Sequence, residues 1–189
     1  LVMELRRQLE RHEKDPMILI GHSWGAWLAL LTAACYPFLV RRVVLVGCPP
    51  LEQLYTEHIH ERRMQKLMPK EQEWKVLRNL FEKTEYYEKI PDVKWFGRIN
   101  GNMYERIWVE AAAMRQNGEL LRYIQSVTCP IDIIHGEQDP HPLEGVVVPL
   151  DRLCIPYRLY ALPKCGHVPF IEVHAVERFY EILDQIIQS

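Results

Sequence analysis

The sequence predicts an α/β fold, a parallel sheet flanked by helices with a helical insertion in its middle, and three observations predict it. Met17-Ile18-Leu19-Ile20 and Arg42-Val43-Val44-Leu45-Val46-Gly47 are short apolar runs without polar alternation, which is how strands buried on both faces read. Two more strand patterns follow much later, Pro130-Ile131-Asp132-Ile133-Ile134-His135-Gly136 and Tyr157-Arg158-Leu159-Tyr160-Ala161-Leu162. Between the two pairs the stretch from Leu51 to Gln125 is rich in Glu, Lys, Arg, Gln, Tyr and Trp at helical spacing, with few β-branched runs. Strands alternating with helices call for a parallel sheet.

The elements follow in order. Residues 1–14, LVMELRRQLERHEK, read as a charged amphipathic helix, and neither a signal peptide nor a membrane anchor. The strand 17–20 runs through Gly21-His22-Ser23-Trp24-Gly25 into an Ala/Leu-rich helix that extends to about Tyr36. Cys48-Pro49-Pro50 ends the second strand. Pro69, Pro91 and Gly101 divide the middle stretch into several helices. A helix from Ala175 to Ile187 closes the chain. The expected organisation is a core part at 1–50, a helical lid at 51–125, and a second core part at 126–189.

Composition narrows the function classes. With 48% hydrophobic residues, 25% charged residues and a net charge of −2, nothing marks a nucleic acid or an anionic membrane surface as partner. No apolar run reaches the roughly 18 to 20 residues of a membrane span. The five cysteines (Cys35, Cys48, Cys129, Cys154, Cys165) contain no C-x-x-C pair, and four lie in or beside predicted core elements. They read as reduced, buried thiols of a cytoplasmic protein. No Cys/His cluster has metal-ligand spacing, so no structural zinc is expected.

The candidate chemistry starts at Ser23. Gly21 and Gly25 flank it at G-x-S-x-G spacing, between a buried strand and a small-residue helix. That context describes a nucleophile elbow, which lifts a serine hydroxyl to a helix N-terminus where the dipole and free N–H groups favour an oxyanion. A chance strand–turn–helix with an idle serine is the plain alternative. A serine needs a base, and the base an orienting carboxylate. In open parallel sheets such groups gather beyond the carboxyl ends of the strands. Asp139 lies there in His135-Gly136-Glu137-Gln138-Asp139-Pro140, and His167 in Pro163-Lys164-Cys165-Gly166-His167-Val168-Pro169-Phe170. Glu137 is a nearby rival to Asp139, while Asp132 lies inside a strand. Asp139 also reads as a turn former before Pro140, and His167 as a solvated loop histidine. His22 reads as packing or hydrogen bonding near the elbow, His135 as structural, and His141 as a pocket residue. The aromatics Trp74, Trp95, Tyr104 and Trp108 read first as packing within the middle helices.

GHSWG around Ser23, HGEQDP around Asp139 and CGHVPFIE around His167 together resemble the α/β-hydrolase superfamily, within its broad serine esterase and proline-iminopeptidase-like group. The order Ser23, Asp139, His167 matches that arrangement. The resemblance implies an α/β-hydrolase-type sheet with a helical cap at 51–125. It also implies a Ser23–His167–Asp139 triad acting without a cofactor on a small ester or amide, with the Trp24 backbone N–H as an oxyanion donor. An aminopeptidase would need carboxylates for a substrate ammonium, and Glu105, Glu110 and Glu119 are candidates. A non-catalytic binding module that keeps the triad residues is the rival from another class. In the family four strands precede the nucleophile strand, and here only one helix does; the chain begins with Leu1. The expectation is therefore the C-terminal part of such a fold. A preceding segment or a second chain would complete the sheet and supply the second oxyanion donor.

Overall fold

The computed structural model describes residues 1–12, 15–65, 83–93 and 101–189. Along them run α1 (Val2–His12), β1 (Met17–His22), α2 (Trp24–Cys35), β2 (Val40–Val46), α3 (Glu57–Gln65), α4 (Gly101–Gln116), α5 (Glu119–Ile124), β3 (Ile131–Gly136), α6 (Glu144–Arg152), β4 (Tyr157–Leu162) and α7 (Val176–Gln188). The strands form one parallel sheet in the order β1-β2-β3-β4.

Alternation along each strand divides the core. Val43 and Leu45 of β2, with Ile131 and Ile133 of β3, face α2, α5 and α6 through Trp27, Leu30, Leu120, Ile124, Val146 and Leu150. Val44, Val46 and Ile134 point the other way, onto Phe179, Ile182 and Ile186 of α7. Those three residues recur at helical spacing, so one stripe of α7 covers the sheet. The inner strands β2 and β3 are thus buried on both faces, as their unbroken apolar runs require. β1 pairs only with β2 among the described residues, and Ile20 is 46% exposed.

Two elements differ from the sequence pattern. β1 continues through Gly21 to His22, because the turn to α2 needs no residues beyond Ser23. α6 was not predicted: its Val146-Val147-Val148 run and internal Pro149 are poor helix formers, and packing of Val146 and Leu150 overrides them.

The thiols also differ in part. All five cysteines are free, but only Cys48 and Cys165 are buried, while Cys35 and Cys154 are exposed. Of the middle stretch, Trp108 of α4 stacks on Trp27 of α2 at 6.2 Å between centroids, with the Arg115 guanidinium 5.4 Å from the Trp27 ring centroid. Pro69, Trp74 and Trp95, and the side chains of Tyr104 and Glu105, lie outside the described residues. Glu110 and Glu119 line an apolar cavity of about 410 Å³ with Trp24, Leu28, Leu31 and Met114; neither Ser23 nor His167 lines it.

Candidate active site

Ser23 sits between β1 and α2 with φ 54° and ψ −127°. A side chain with a Cβ rarely adopts that backbone, and holding it costs about 1–3 kcal/mol. The surroundings impose it. Ser23 N–H donates to Val46 O at 2.9 Å, which ties the turn to the end of β2. Gly21 permits it, since a Cβ there would run into the carbonyl of Gly25. Gly25 plays no such part, because a Cβ there would meet open space. Trp24 is the first residue of α2, so its backbone N–H belongs to the helix end that has no intrahelical acceptor.

Asp139 and His167 come together from the loops after β3 and β4. His167 Nδ1 donates to Asp139 Oδ2 at 2.8 Å, and both residues are buried. The other oxygen, Asp139 Oδ1, accepts the His141 backbone N–H at 2.8 Å and His141 Nδ1 at 2.9 Å. Burial alone would push the Asp139 carboxyl up, but His167, His141 and His135 outweigh it and hold the group well below its ordinary range. Burial works against a charged His167 too, yet Asp139 overcomes it and the imidazole is raised above its ordinary value. Burial lowers His141, and burial with the neighbouring His167 pushes His22 down to about 3.

The His167 ring lies against the end of β2. Gly47 has φ 51°, and a Cβ on it would come 2.9 Å from His167 Nδ1 and 2.8 Å from His167 O. Val46, the neighbour of Gly47, holds the Ser23 N–H, so serine and imidazole converge on one strand end. Among the described residues Ser23 Oγ forms no hydrogen bond to His167. Hydrogen bonds of that kind are often long without substrate.

The remaining histidines and acids have assignable neighbours. His22 Nε2 donates to the His167 carbonyl at 2.8 Å, and its ring lies 4.7 Å from that of His167. The His141 ring packs 4.5 Å from His167. His135 Nε2 donates to His141 O at 3.0 Å and braces the loop. Glu137 is exposed. Asp132 lies at the opposite end of β3, bound to Arg42 at 2.8 Å and Arg158 at 2.6 Å.

Other residues at this place carry no motif in the sequence. Glu172 is fully buried and accepts Gly166 N–H at 2.6 Å and the N–H groups of Tyr87 and Glu88 at 2.9 Å each. It thereby pins residues 85–88 to the His167 loop, and the His167 N–H donates to Glu85 O at 2.6 Å. The Glu85 side chain accepts Arg63 Nε at 2.8 Å. Glu172 does stand in the CGHVPFIE segment, but Glu85, Arg63 and Gly47 stand in no recognisable pattern. Spacing along the chain gave no metal-ligand set. The fold nevertheless brings one donor atom each from Glu85, His141 and His167 within 4.8 Å of one another.

A parallel sheet with a strained serine at a strand–helix turn, and an Asp–His pair at the same edge, puts the chain in the α/β class. Comparison with known proteins makes the class specific. A sequence profile described as the alpha/beta hydrolase family matches residues 2–182, and the chain belongs to that family. Epoxide hydrolase 4 from Mus musculus is 30% identical over 59 residues, 31% of this chain and 16% of the relative; the Homo sapiens protein is 32% identical over 59 residues. The matched stretch is thus a small part of those relatives' length. Among solved structures, VinJ superposes with a TM-score of 0.71 at 18% identity, covering 99% of this chain and 71% of that one. Proline iminopeptidase from Mycobacterium smegmatis superposes at 0.65 with 16% identity, over 99% and 70% respectively. Among the described residues no helix is long and apolar enough to cross a membrane.

Proposed function

We propose that the chain carries the catalytic triad of a serine hydrolase that cleaves a small ester or amide through an acyl-enzyme. The observation that carries this reading is Ser23, strained at φ 54° at the head of α2, on the strand end against which the Asp139-held His167 rests. Asp139 takes the Nδ1–H of His167, so Nε2 presents a lone pair. His167 Nε2 removes the Ser23 hydroxyl proton as Oγ attacks the substrate carbonyl. The oxyanion forms at the Trp24 N–H. His167 then returns the proton to the leaving alcohol or amine. Water repeats the sequence and frees Ser23. Asp139 stays ionised throughout and fixes the tautomer.

In the same reading the segment 51–125 is a lid over the site, and residues 83–93 are its contact with the His167 loop. A further strand, from a second chain or another segment, would pair with the outer edge of β1; the exposure of Ile20 supports this. Five free cysteines suit a cytoplasmic setting. The names of the similar proteins span epoxide, peptide and other substrates, so pocket shape must select between ester and amide. One alternative is a binding module that keeps the triad residues and does not turn over.

Intact mass before and after a fluorophosphonate probe separates the two readings. A single adduct mapped to Ser23, and lost in His167→Ala, is the expected result. Folded protein that takes no adduct at Ser23 overturns the hydrolase.

A further inference from the structure

The fold gathers a donor set around the candidate base, and two of its members, Glu85 and His141, take no part in the proposed proton transfers. Glu85 arrives on residues 83–93, His141 on the loop after β3, and His167 on the loop after β4. All three are buried, at 3%, 6% and 5% exposure. Their donor atoms lie within 4.8 Å of one another. We propose that Glu85, His141 and His167 form a site for a divalent transition-metal ion such as Zn²⁺, and that its occupancy blocks Ser23. The blocking part rests on the serine-hydrolase reading; the binding part does not.

The tautomers fit the proposal. Asp139 takes the Nδ1–H of both rings, at 2.9 and 2.8 Å, which turns both Nε2 lone pairs outward as ligands. A carboxylate behind each ligating imidazole is the outer-shell partner that metal-binding histidines usually have. Two histidines and a glutamate are a zinc set that leaves a fourth position open. Donors about 2.0–2.1 Å from a tetrahedral zinc stand about 3.4 Å apart. Donors within 4.8 Å of one another therefore need to close by no more than about 1.4 Å. Arg63 competes, since its Nε already holds Glu85 Oε1 at 2.8 Å. No covalent step is involved. A metal on His167 Nε2 occupies the lone pair that would take the Ser23 proton, and protons compete with the metal for it.

The test uses the full chain with its accessible thiols blocked, because Cys35 and Cys154 are exposed and thiols also bind zinc. Calorimetric titration with Zn²⁺ should give one ion per chain. Co²⁺ should give a tetrahedral visible spectrum without a thiolate band. Glu85→Gln and His141→Gln should each weaken binding at least about tenfold, and Arg63→Gln should tighten it. Circular dichroism checks each fold, and His141→Gln carries the test if Glu85→Gln unfolds. Zn²⁺ should also prevent fluorophosphonate labelling of Ser23, and EDTA should restore it. No binding, or binding unchanged in both ligand variants, overturns the site. Binding that weakens in the variants, with Ser23 unlabelled even in EDTA, keeps the site and overturns the hydrolase reading instead.

Discussion

Asp132 and Asp139 stand at and just beyond the two ends of β3, and both are buried carboxylates held among basic partners. At the amino end Asp132 holds Arg42 and Arg158. At the carboxyl end Asp139 holds His141 and His167. The partners make the difference. A guanidinium keeps its proton at any working pH, so the Asp132 cluster can only fasten strands together. Asp132 faces Val44 and Arg158 in the sheet register, and its two arginines come from β2 and β4, so it ties three adjacent strands. An imidazole exchanges its proton near neutrality, so the Asp139 cluster can pass one on. The same strand therefore has a fastening end and an exchanging end, and the difference lies in side-chain chemistry rather than burial.

Substitutions can break this contrast. Ser23→Ala should have the largest effect, a loss of about 10⁶ in kcat for ester turnover with an unchanged melting temperature. Substantial residual turnover would detach the exchanging end from Ser23. Asp139→Asn comes next, with a kcat loss of about 10⁴, about 5.4 kcal/mol of barrier, because the imidazole is held in the wrong tautomer. Asp132→Asn should act on the other scale. It leaves the mostly buried Arg42 without its anion and should cost about 3 kcal/mol of stability by denaturant titration, with kcat unchanged. A kcat loss in Asp132→Asn without loss of stability would erase the distinction between the two ends.

Much of the exchanging end was legible in the sequence. Short apolar runs located the strands, and the Gly- and Pro-marked loops after them located Asp139 and His167. The sharp turn at Ser23 was legible because two glycines bracket it, although only Gly21 turns out to be sterically required. Asp132 was correctly placed inside a strand, but its two arginines come from strands 90 residues before and 26 residues after it. Such pairing depends on register and leaves no local trace. The same holds for Glu85 and Glu172, which meet the His167 loop through backbone groups. Backbone acceptors and donors are alike in every residue, so no pattern of side chains announces them. Gly47 was read as the end of a strand. Its positive φ and the imidazole packed on it appear only in three dimensions.

The smallest effect is on pH dependence, and it sharpens the contrast most. His167 must be neutral to accept the Ser23 proton. Burial would lower its pKa, but Asp139 raises it above 6.5 on balance, with Glu85 adding to the rise. Activity should therefore be lost as pH falls through a midpoint above 6.5, and regained as pH rises. Asp139, held well below its ordinary range, stays ionised over that window and adds no limb of its own. His22, pushed down to about 3, stays neutral as well. The pH profile of kcat/KM, which reports the free enzyme, reads the midpoint directly. In Asp139→Asn the raising charge is gone and burial remains, so the residual activity should extend to lower pH. Glu85→Gln should shift the midpoint the same way by less, because Glu85 contributes less than Asp139. Asp132→Asn, at the fastening end, should leave the midpoint where it is. A midpoint that ignores Asp139 but follows Asp132 would mean that the carboxylate governing the proton lies at the wrong end of β3.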